Sequence, residues 1–394
     1  MIALLTTLSA VIAAVAALPL TIFSMETAAG LLPSHRRKAG KQAPTAAMLI
    51  PAHNEESGIT PTLEDLRRSV PRSTRVVVIA DNCTDGTAKQ ARARGVEVIE
   101  RHDPDRRGKG YALAFGRDYL AANDPPEVVL VLDADCRLLP GSVEALAETA
   151  QRERRPAQAI NLISPDLTAS PMVQISGFAM LVKNFFRSRG MQRLGGAALL
   201  TGTGMAFPWS LYADAELATG SIVEDLEFGI ATTRQGSPPL LVESANVRSA
   251  PAALKDALQQ RKRWEHGFLN SLRSQAVPLF VRGLAGLRWS EILLGLHLMV
   301  PPLALLMVAA VAAITVTGGF WLMGASALPF AVLGSLLLLS LALVFFAWLA
   351  RGREFLSGQA LLRAPLYVLW KVPMYLSFFR SPESSWSRTR RPDE

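Results

Sequence analysis

Two aspartates two residues apart, Asp133 and Asp135, follow directly on the apolar run Val128-Val-Leu-Val-Leu132. Residues two apart on a strand share a face, so a buried strand ends here by presenting two carboxylates to one object. Taken alone, the pair fits a solvated turn equally well. The other strand ends add weight to a site. Pro51-Ala-His-Asn-Glu-Glu56 follows Ala46-Ala-Met-Leu-Ile50, and Asp81-Asn-Cys-Thr-Asp-Gly-Thr87 follows Arg75-Val-Val-Val-Ile-Ala80. Three acidic or polar loops at one edge invite a divalent cation and a polar ligand. Arg106-Arg-Gly-Lys-Gly110 adds cations at the start of a helical segment, a natural place for phosphate.

The elements that carry these loops are legible as alternation. Val96-Glu-Val-Ile99 reads as a further strand, and Pro61–Val70, Gly86–Arg94 and Lys109–Ala122 have helical composition. Continuous apolar strands alternating with helices predict a mostly parallel sheet covered on both faces. Ligands of such sheets bind beyond the carboxyl ends of the strands. A Rossmann dehydrogenase would need Gly-x-Gly-x-x-Gly after a strand and a P-loop kinase Gly-x-x-x-x-Gly-Lys-Ser/Thr; neither motif is present, and Gly202-Thr-Gly204 is too short for either.

The 394-residue chain is half hydrophobic, and its apolar residues are concentrated. No Asp, Glu, Lys or Arg occurs from Ile292 to Ala350, enough for two membrane spans at about 20 residues each. Their connection is expected near Thr317-Gly-Gly-Phe-Trp321. Met1 to Met25 is a third uncharged run. The basic cluster His35-Arg-Arg-Lys38 follows it rather than precedes it, which argues against a signal peptide. By the positive-inside rule the amino terminus lies outside and the rest of the chain begins in the cytoplasm. Arg351, Arg353 and Arg388-Thr-Arg-Arg391 agree. Residues 359–380 are interrupted by Arg363, Lys371, Pro365 and Pro373 and predict an amphipathic segment in the interface, its cations reaching the headgroups.

The expected organisation is a transmembrane helix over 1–25 and a basic linker over 26–44. A catalytic α/β domain follows over 45–285, two transmembrane helices over 286–350, and an interfacial helix with a basic tail over 351–394. The pI of about 9.8 could suggest nucleic acid. The cations do not form the aromatic-interleaved stripe of such proteins, and several sit at membrane boundaries, so no nucleic-acid partner is expected. Cys83 and Cys136, alone in a cytoplasmic segment, predict neither a disulfide nor a zinc site.

With these motifs in place the sequence resembles the inverting, membrane-associated family 2 glycosyltransferases, which have a GT-A (Rossmann-like) fold. Cellulose and hyaluronan synthases and ceramide glucosyltransferases are relatives of this kind. The shared pattern covers about residues 45–270: Pro51-Ala-His-Asn-Glu-Glu56, Asp81-Asn-Cys-Thr-Asp-Gly-Thr87, Asp133-Ala-Asp135, Glu224-Asp225 and Gln260-Arg-Lys-Arg-Trp264, in that order. The resemblance implies that Asp81 reads the nucleotide base, with Pro51 and Glu55 lining the nucleotide and Lys109 near its diphosphate. Asp133 would sit near the ribose and the metal, and Asp135 would coordinate Mg or Mn, whose charge offsets that of the departing diphosphate. Asp225 is the candidate catalytic base, with Glu224 as the alternative; a helix N-terminus would also attract both acids.

Gln260 and Arg263 would bind diphosphate, and Trp264 would form a platform for the acceptor. The alternative for the whole stretch is a cationic amphipathic helix at the bilayer; Arg261, Lys262 and His266 are read as a solvated or lipid-facing surface. Gly202 and Thr203 resemble the acceptor-side loop. The apolar stripe Met172–Phe186 is read as packing or bilayer contact.

The function so implied is transfer of a sugar from a nucleotide-sugar donor, UDP-linked by resemblance, to a lipid or lipid-linked glycan. The implied location is the cytoplasmic face of a bacterial inner membrane. A processive polysaccharide synthase subunit, with partner subunits of an export or assembly system, stays open. So does a non-catalytic scaffold in such a complex, although Asp135, Asp225 and Arg263 are all present. Spans free of Asp, Glu, Lys and Arg count against a transporter, and His297 reads as a packed polar residue.

Overall fold

The computed structural model describes residues 1–33, 44–221, 223–249 and 254–380, with backbone alone for 254–261, 379 and 380. The basic cluster at 35–38 and the tail at 388–391 fall outside these. In chain order the elements begin with α1 (Ile2–Leu31), β1 (Ala46–Ala52), α2 (Ile59–Ser69), β2 (Thr74–Asp81), α3 (Thr87–Ala93), β3 (Glu97–Arg101) and α4 (Lys109–Ala122). There follow β4 (Val128–Val131), β5 (Cys136–Leu138), α5 (Ser142–Glu153), β6 (Ala157–Ile163), α6 (Pro171–Leu181) with a π turn (Val182–Arg187), and α7 (Ser188–Arg193). Next are β7 (Met205–Pro208), α8 (Trp209–Tyr212), α9 (Glu224–Arg234), β8 (Leu240–Ser249) and α10 (Leu254–Ala285). The chain closes with α11 (Trp289–Leu298), α12 (Leu303–Leu322), α13 (Leu328–Ala350), α14 (Gly358–Leu361) and α15 (Ala364–Arg380).

These elements form two compact units, one from residues 44–164 and 197–257 and the other from 1–33, 165–196 and 258–380. The first is an eight-stranded sheet in the order β3-β2-β1-β4-β7-β6-β8-β5. Strands β1 to β4 are parallel as the alternation predicts, whereas β7 enters antiparallel to both β4 and β6. Period-two alternation divides the core. Met48, Ile50 and Leu130 face one side with Leu63 and Leu66 of α2 and Leu146 of α5. Leu49, Ile79 and Val131 face the other with Leu113 and Leu120 of α4 and Tyr212 of α8. Each fully buried aliphatic side chain is worth about 1.5–3 kcal/mol. The parallel strands therefore stay covered on both faces, and their polar loops collect at one end.

In the second unit, α1, α12 and α13 are long and apolar enough to cross a membrane. The break between the last two differs from the expected one. Thr317–Trp321 lies inside α12, and the chain turns at Gly324, whose φ is +94° and whose amide donates to the Trp321 carbonyl at 2.9 Å. Glycine stops a helix where the left-handed conformation is needed, not wherever it occurs.

The first helix also runs beyond the uncharged stretch, carrying Glu26 inside it at 2% exposure. The Arg187 guanidinium donates to Glu26 Oε2 at 2.8 Å, and His297 Nδ1 lies 2.8 Å from Oε1. Arg193 donates to the carbonyls of Ala29 and Pro33 at 2.7 and 2.8 Å, and Arg189 to that of Leu32, satisfying the end of α1 with cations. A Cβ on Gly190 would lie 1.8 Å from the Glu26 carbonyl oxygen, so the two backbones touch there. Removing one member of a buried pair strands the other. Glu26→Ala is therefore expected to cost on the order of 3 kcal/mol, read as a lowered thermal midpoint of the detergent-solubilised protein.

The last helix departs from the expected cation-to-headgroup arrangement in one respect. Arg363 is exposed, but Lys371 is buried and paired with Glu265 of α10.

Candidate functional site

Two of the polar loops are fastened to each other. The Gly86 amide donates to Glu56 Oε2 at 2.9 Å, the Glu55 amide to Thr87 Oγ1 at 2.7 Å, and the Thr84 amide to Asn54 Oδ1 at 2.8 Å. A Cβ on Gly86 would lie 2.3 Å from Glu56 Oε1, so a larger residue there would displace the Glu56 carboxylate from the amide that it accepts from. His53 and Cys83, which carry no chemistry in the sequence reading, serve the same junction. His53 Nδ1 lies 2.7 Å from the Asp81 carbonyl, and the Cys83 thiol reaches that of Ala52 at 3.4 Å.

Asp81 ends β2 and is 6% exposed. Its Oδ1 accepts from the Arg101 guanidinium at 2.6 Å and from Asn82 Nδ2 at 3.2 Å. Arg101 is the register partner of Asp81 on β3, bonds Asp103 at 3.1 Å, and lies over the Tyr111 ring at 5.7 Å. Sequence reasoning missed Arg101 and Tyr111. The available signal was a cation on the last residue of a strand whose neighbours already sent polar loops to that end.

A second cluster gathers at the ends of β4 and α4. Lys109, the first residue of α4, donates from its ammonium to the Asp133 carboxylate and to the Gly202 carbonyl, the latter at 2.6 Å. Burial works against the Lys109 charge, but Asp133 and then Glu224 outweigh it and hold the group above its ordinary value. Burial raises Asp133, Lys109 opposes, and the charge of Asp135 adds to the rise. Burial, followed by the charge of Asp225, pushes Glu224 up to about 7, with Lys109 opposing.

The loop that meets this cluster is braced from behind. The Asp133 amide donates to Thr203 Oγ1 at 3.1 Å, and Gln158 Nε2 donates to the Thr203 carbonyl at 2.9 Å. Gln158 Oε1 accepts from the Thr201 amide at 2.9 Å, and Asn161 Nδ2 reaches Thr201 Oγ1 at 3.2 Å. These two β6 residues were also missed, although polar side chains inside the otherwise apolar run Ala157–Ile163 mark them. Gly202 has φ +81°, and a Cβ there would lie 3.4 Å from both Asp225 Oδ2 and Lys109 Nζ. Gly202→Ala is expected to lower kcat at least about tenfold through misplacement of these groups, with donor binding followed by calorimetry as the check.

Asp133, Asp135 and Cys136 bring two carboxylates and a thiol within 4.8 Å of one another. The donor set fits a hard dication through its oxygens. Cys136 belongs to the apolar core, and burial pushes its thiol well above the ordinary value, so it stays a neutral thiol. Alongside lies a narrow cleft lined by Lys109, Glu224 and Asp225 together with Leu113, Met205, Phe207, Tyr212 and Phe228. Two adjacent carboxylates, Glu224 and Asp225, a second carboxylate pair whose oxygens fit a dication, and a fixed cation thus stand together, groups that can take up a proton and offset negative charge.

Lys109, Asp133, Asp135, Gly202, Thr203, Glu224 and Asp225 are brought together, while Pro51, Glu55 and Asp81 stand on the adjoining strand ends of the same unit. Arg263 and Trp264 belong to α10 in the other unit, Arg263 at 8% exposure and Trp264 at 44%; the side chain of Gln260 is outside the described residues. His266, expected at the surface, is 1% exposed, with Nε2 3.3 Å from the Met374 carbonyl. It packs against a neighbouring helix that its sequence context did not reveal.

Residues 128–378 match the family described as glycosyl transferase family group 2, well over half of the chain, and the chain belongs to that family. A curated relative, the low-salt glycan biosynthesis hexosyltransferase Agl6 of Haloferax volcanii, is 39% identical over 89 residues. That match spans 21% of this chain and only 21% of the relative's length. Among solved structures, the mannosyltransferase PcManGT of Pyrobaculum calidifontis, in complex with GDP-Man and Mn2+, aligns over 93% of this chain and 99% of its own. With a TM-score of 0.54 and 16% identity it shows the fold, which is GT-A.

Proposed function

We propose that the protein transfers a hexose from a nucleotide-sugar donor to a lipid or lipid-linked glycan, with inversion at the anomeric carbon. The observation that carries this reading is the junction of Asp133, Lys109 and Asp225 around Gly202. Asp225 removes the proton from an acceptor hydroxyl, whose oxygen forms the new bond to the anomeric carbon. The bond to the diphosphate oxygen breaks on the opposite side, and its electron pair leaves with the nucleoside diphosphate. Asp135 and Asp133 would hold Mg or Mn, which when bound would supply positive charge for that leaving group. Lys109 supplies a fixed cation near the diphosphate.

Asp81 receives the base, exchanging part of its Arg101 contact for the ligand, and Pro51 and Glu55 line the nucleotide. Gln260 and Arg263 bind diphosphate, and Trp264 carries the acceptor. UDP is the nucleotide implied by the motifs; GDP is the alternative, favoured by the GDP-mannose complex of the structural relative. Three apolar helices support a membrane location and hence a lipid-borne acceptor. The catalytic unit is assigned to the cytoplasmic face of a bacterial inner membrane, with the amino terminus outside.

The test is nucleoside diphosphate release by purified protein from a panel of nucleotide sugars, with Mn or Mg and a membrane-lipid extract. Metal-dependent release from one donor supports the proposal, and mass analysis of the lipid separates a single addition from a polymer. A folded protein that releases nothing from any donor favours the scaffold reading instead.

A further inference from the structure

The reverse side of α10, away from its motif residues, is clasped by α15. By helical spacing, Gln260, Arg263 and Trp264 share one side of α10. At about 100° per residue, Leu269 falls opposite the centre of that side, and Glu265 and His266 fall on the two flanks beside Leu269. Every one of these three meets α15. Glu265 accepts from the Lys371 ammonium, and Lys371 is only 6% exposed. His266 lies 3.3 Å from the Met374 carbonyl and 5.3 Å, edge on, from the Phe378 ring. Leu269 is buried in one cluster with Tyr375 and Ala304. The ammonium of Lys371 also lies 5.2 Å from the Tyr367 ring centre, which fixes its place on α15.

We propose that the Glu265–Lys371 ion pair is a positioning device that sets the rotation of α10 about its axis. It would thereby direct Gln260, Arg263 and Trp264. The inference rests on the reading that those three residues serve the diphosphate and the acceptor. Apolar contact such as that of Leu269 holds two helices together but tolerates sliding and rotation. A buried ion pair contributes little net stability, yet it admits one geometry, and register setting is its best-attested use. Glu265 and His266 are adjacent in sequence and reach Lys371 and Met374, which lie three apart on α15. Rotating α10 in either direction would break one of these contacts.

The chemistry predicts a separation of stability from turnover. The doubly apolar variant Glu265→Met/Lys371→Met fills the same space without stranding a charge, so its thermal midpoint should stay within about 3 °C of the parent. Its kcat should fall between about tenfold and a hundredfold, with donor KM little changed, as misplacement of a substrate-holding group predicts. The exchanged pair Glu265→Lys/Lys371→Glu should recover most of the lost kcat. All are measured in lipid nanodiscs with the donor found above.

Parental kcat in the doubly apolar variant overturns the proposal, and so does an exchanged pair no better than the apolar one. If the apolar variant loses thermal stability, Lys371→Arg, which keeps the charge, decides: parental kcat supports the device and a tenfold loss overturns it. A parent that transfers from no donor means the functional reading has failed. Amide exchange over residues 258–268 then tests the clasp by itself. Faster exchange in the doubly apolar variant, restored in the exchanged pair, supports it, and unchanged exchange overturns it.

Discussion

Asp225→Asn is expected to lower transfer about a thousandfold while leaving donor affinity within about threefold of the parent, since positioned proton transfer contributes on the order of 10²–10⁴. The substitution keeps the shape beside Gly202 and removes only the basicity. A comparable loss in affinity would point to a binding role; full activity would remove Asp225 as the base. Glu224 is the competitor. It is the adjacent residue in the first turn of α9, and its value of about 7 suits a base working near neutrality. Glu224→Gln should therefore cost much less, about tenfold, if Asp225 is the base; a reversed ranking would transfer the role to Glu224.

The pH dependence gives a second readout with a defined sign. The charge of Asp225 is one of the causes that raise Glu224, and Asp225→Asn deletes it. Glu224 must then titrate at lower pH than in the parent. Residual turnover carried by Glu224 should persist to more acidic pH in Asp225→Asn and vanish in the double variant, as pH–rate profiles would show.

Much of this site was visible in the chain because parallel strands buried on both faces read as unbroken apolar runs. Met48, Ile50 and Leu130 differ from Ala47, Leu49 and Val131 only in facing, so each run ends where polar side chains begin. What stayed hidden depends on partners remote in sequence. Lys371 and His266 look like surface residues until Glu265 and Met374 supply their contacts across more than a hundred positions. Glu26 sits just past an uncharged stretch that reads as a complete span, and Arg187 and His297 allow α1 to continue through it. Arg101 belongs to a strand with only two apolar residues between charged ends, Glu97-Val-Ile-Glu-Arg101, so its carboxyl end did not announce itself as part of the site. The misplaced turn between α12 and α13 has a local cause. Gly318 and Gly319 are helical, whereas Gly324 alone among them takes a positive φ.

Asp135→Asn is expected to abolish metal-stimulated transfer, about a thousandfold at fixed Mn, and to do so without unfolding the protein. The two aspartates of the pair are not equivalent. Asp133 is partly buried and already committed to Lys109, whereas Asp135 is exposed. Replacing an exposed side chain typically changes stability by no more than about 0.5 kcal/mol, so the thermal midpoint of Asp135→Asn should match the parent. Its Mn affinity should fall, because one of two anionic oxygens suited to a hard cation becomes a weak amide ligand. The free-ion paramagnetic resonance signal of Mn reads this directly, with no need for turnover.

Asp133→Asn should behave differently. It leaves the Lys109 ammonium without its carboxylate in a buried setting, so it should lose both metal binding and thermal stability. Chelation of the parent protein should reproduce the activity of Asp135→Asn and not the instability of Asp133→Asn. If instead Asp135→Asn kept its Mn affinity, the cation would have to be held elsewhere. If both variants were equally unstable, the asymmetry between an exposed ligand and a lysine-paired one would not be what divides the labour of this pair.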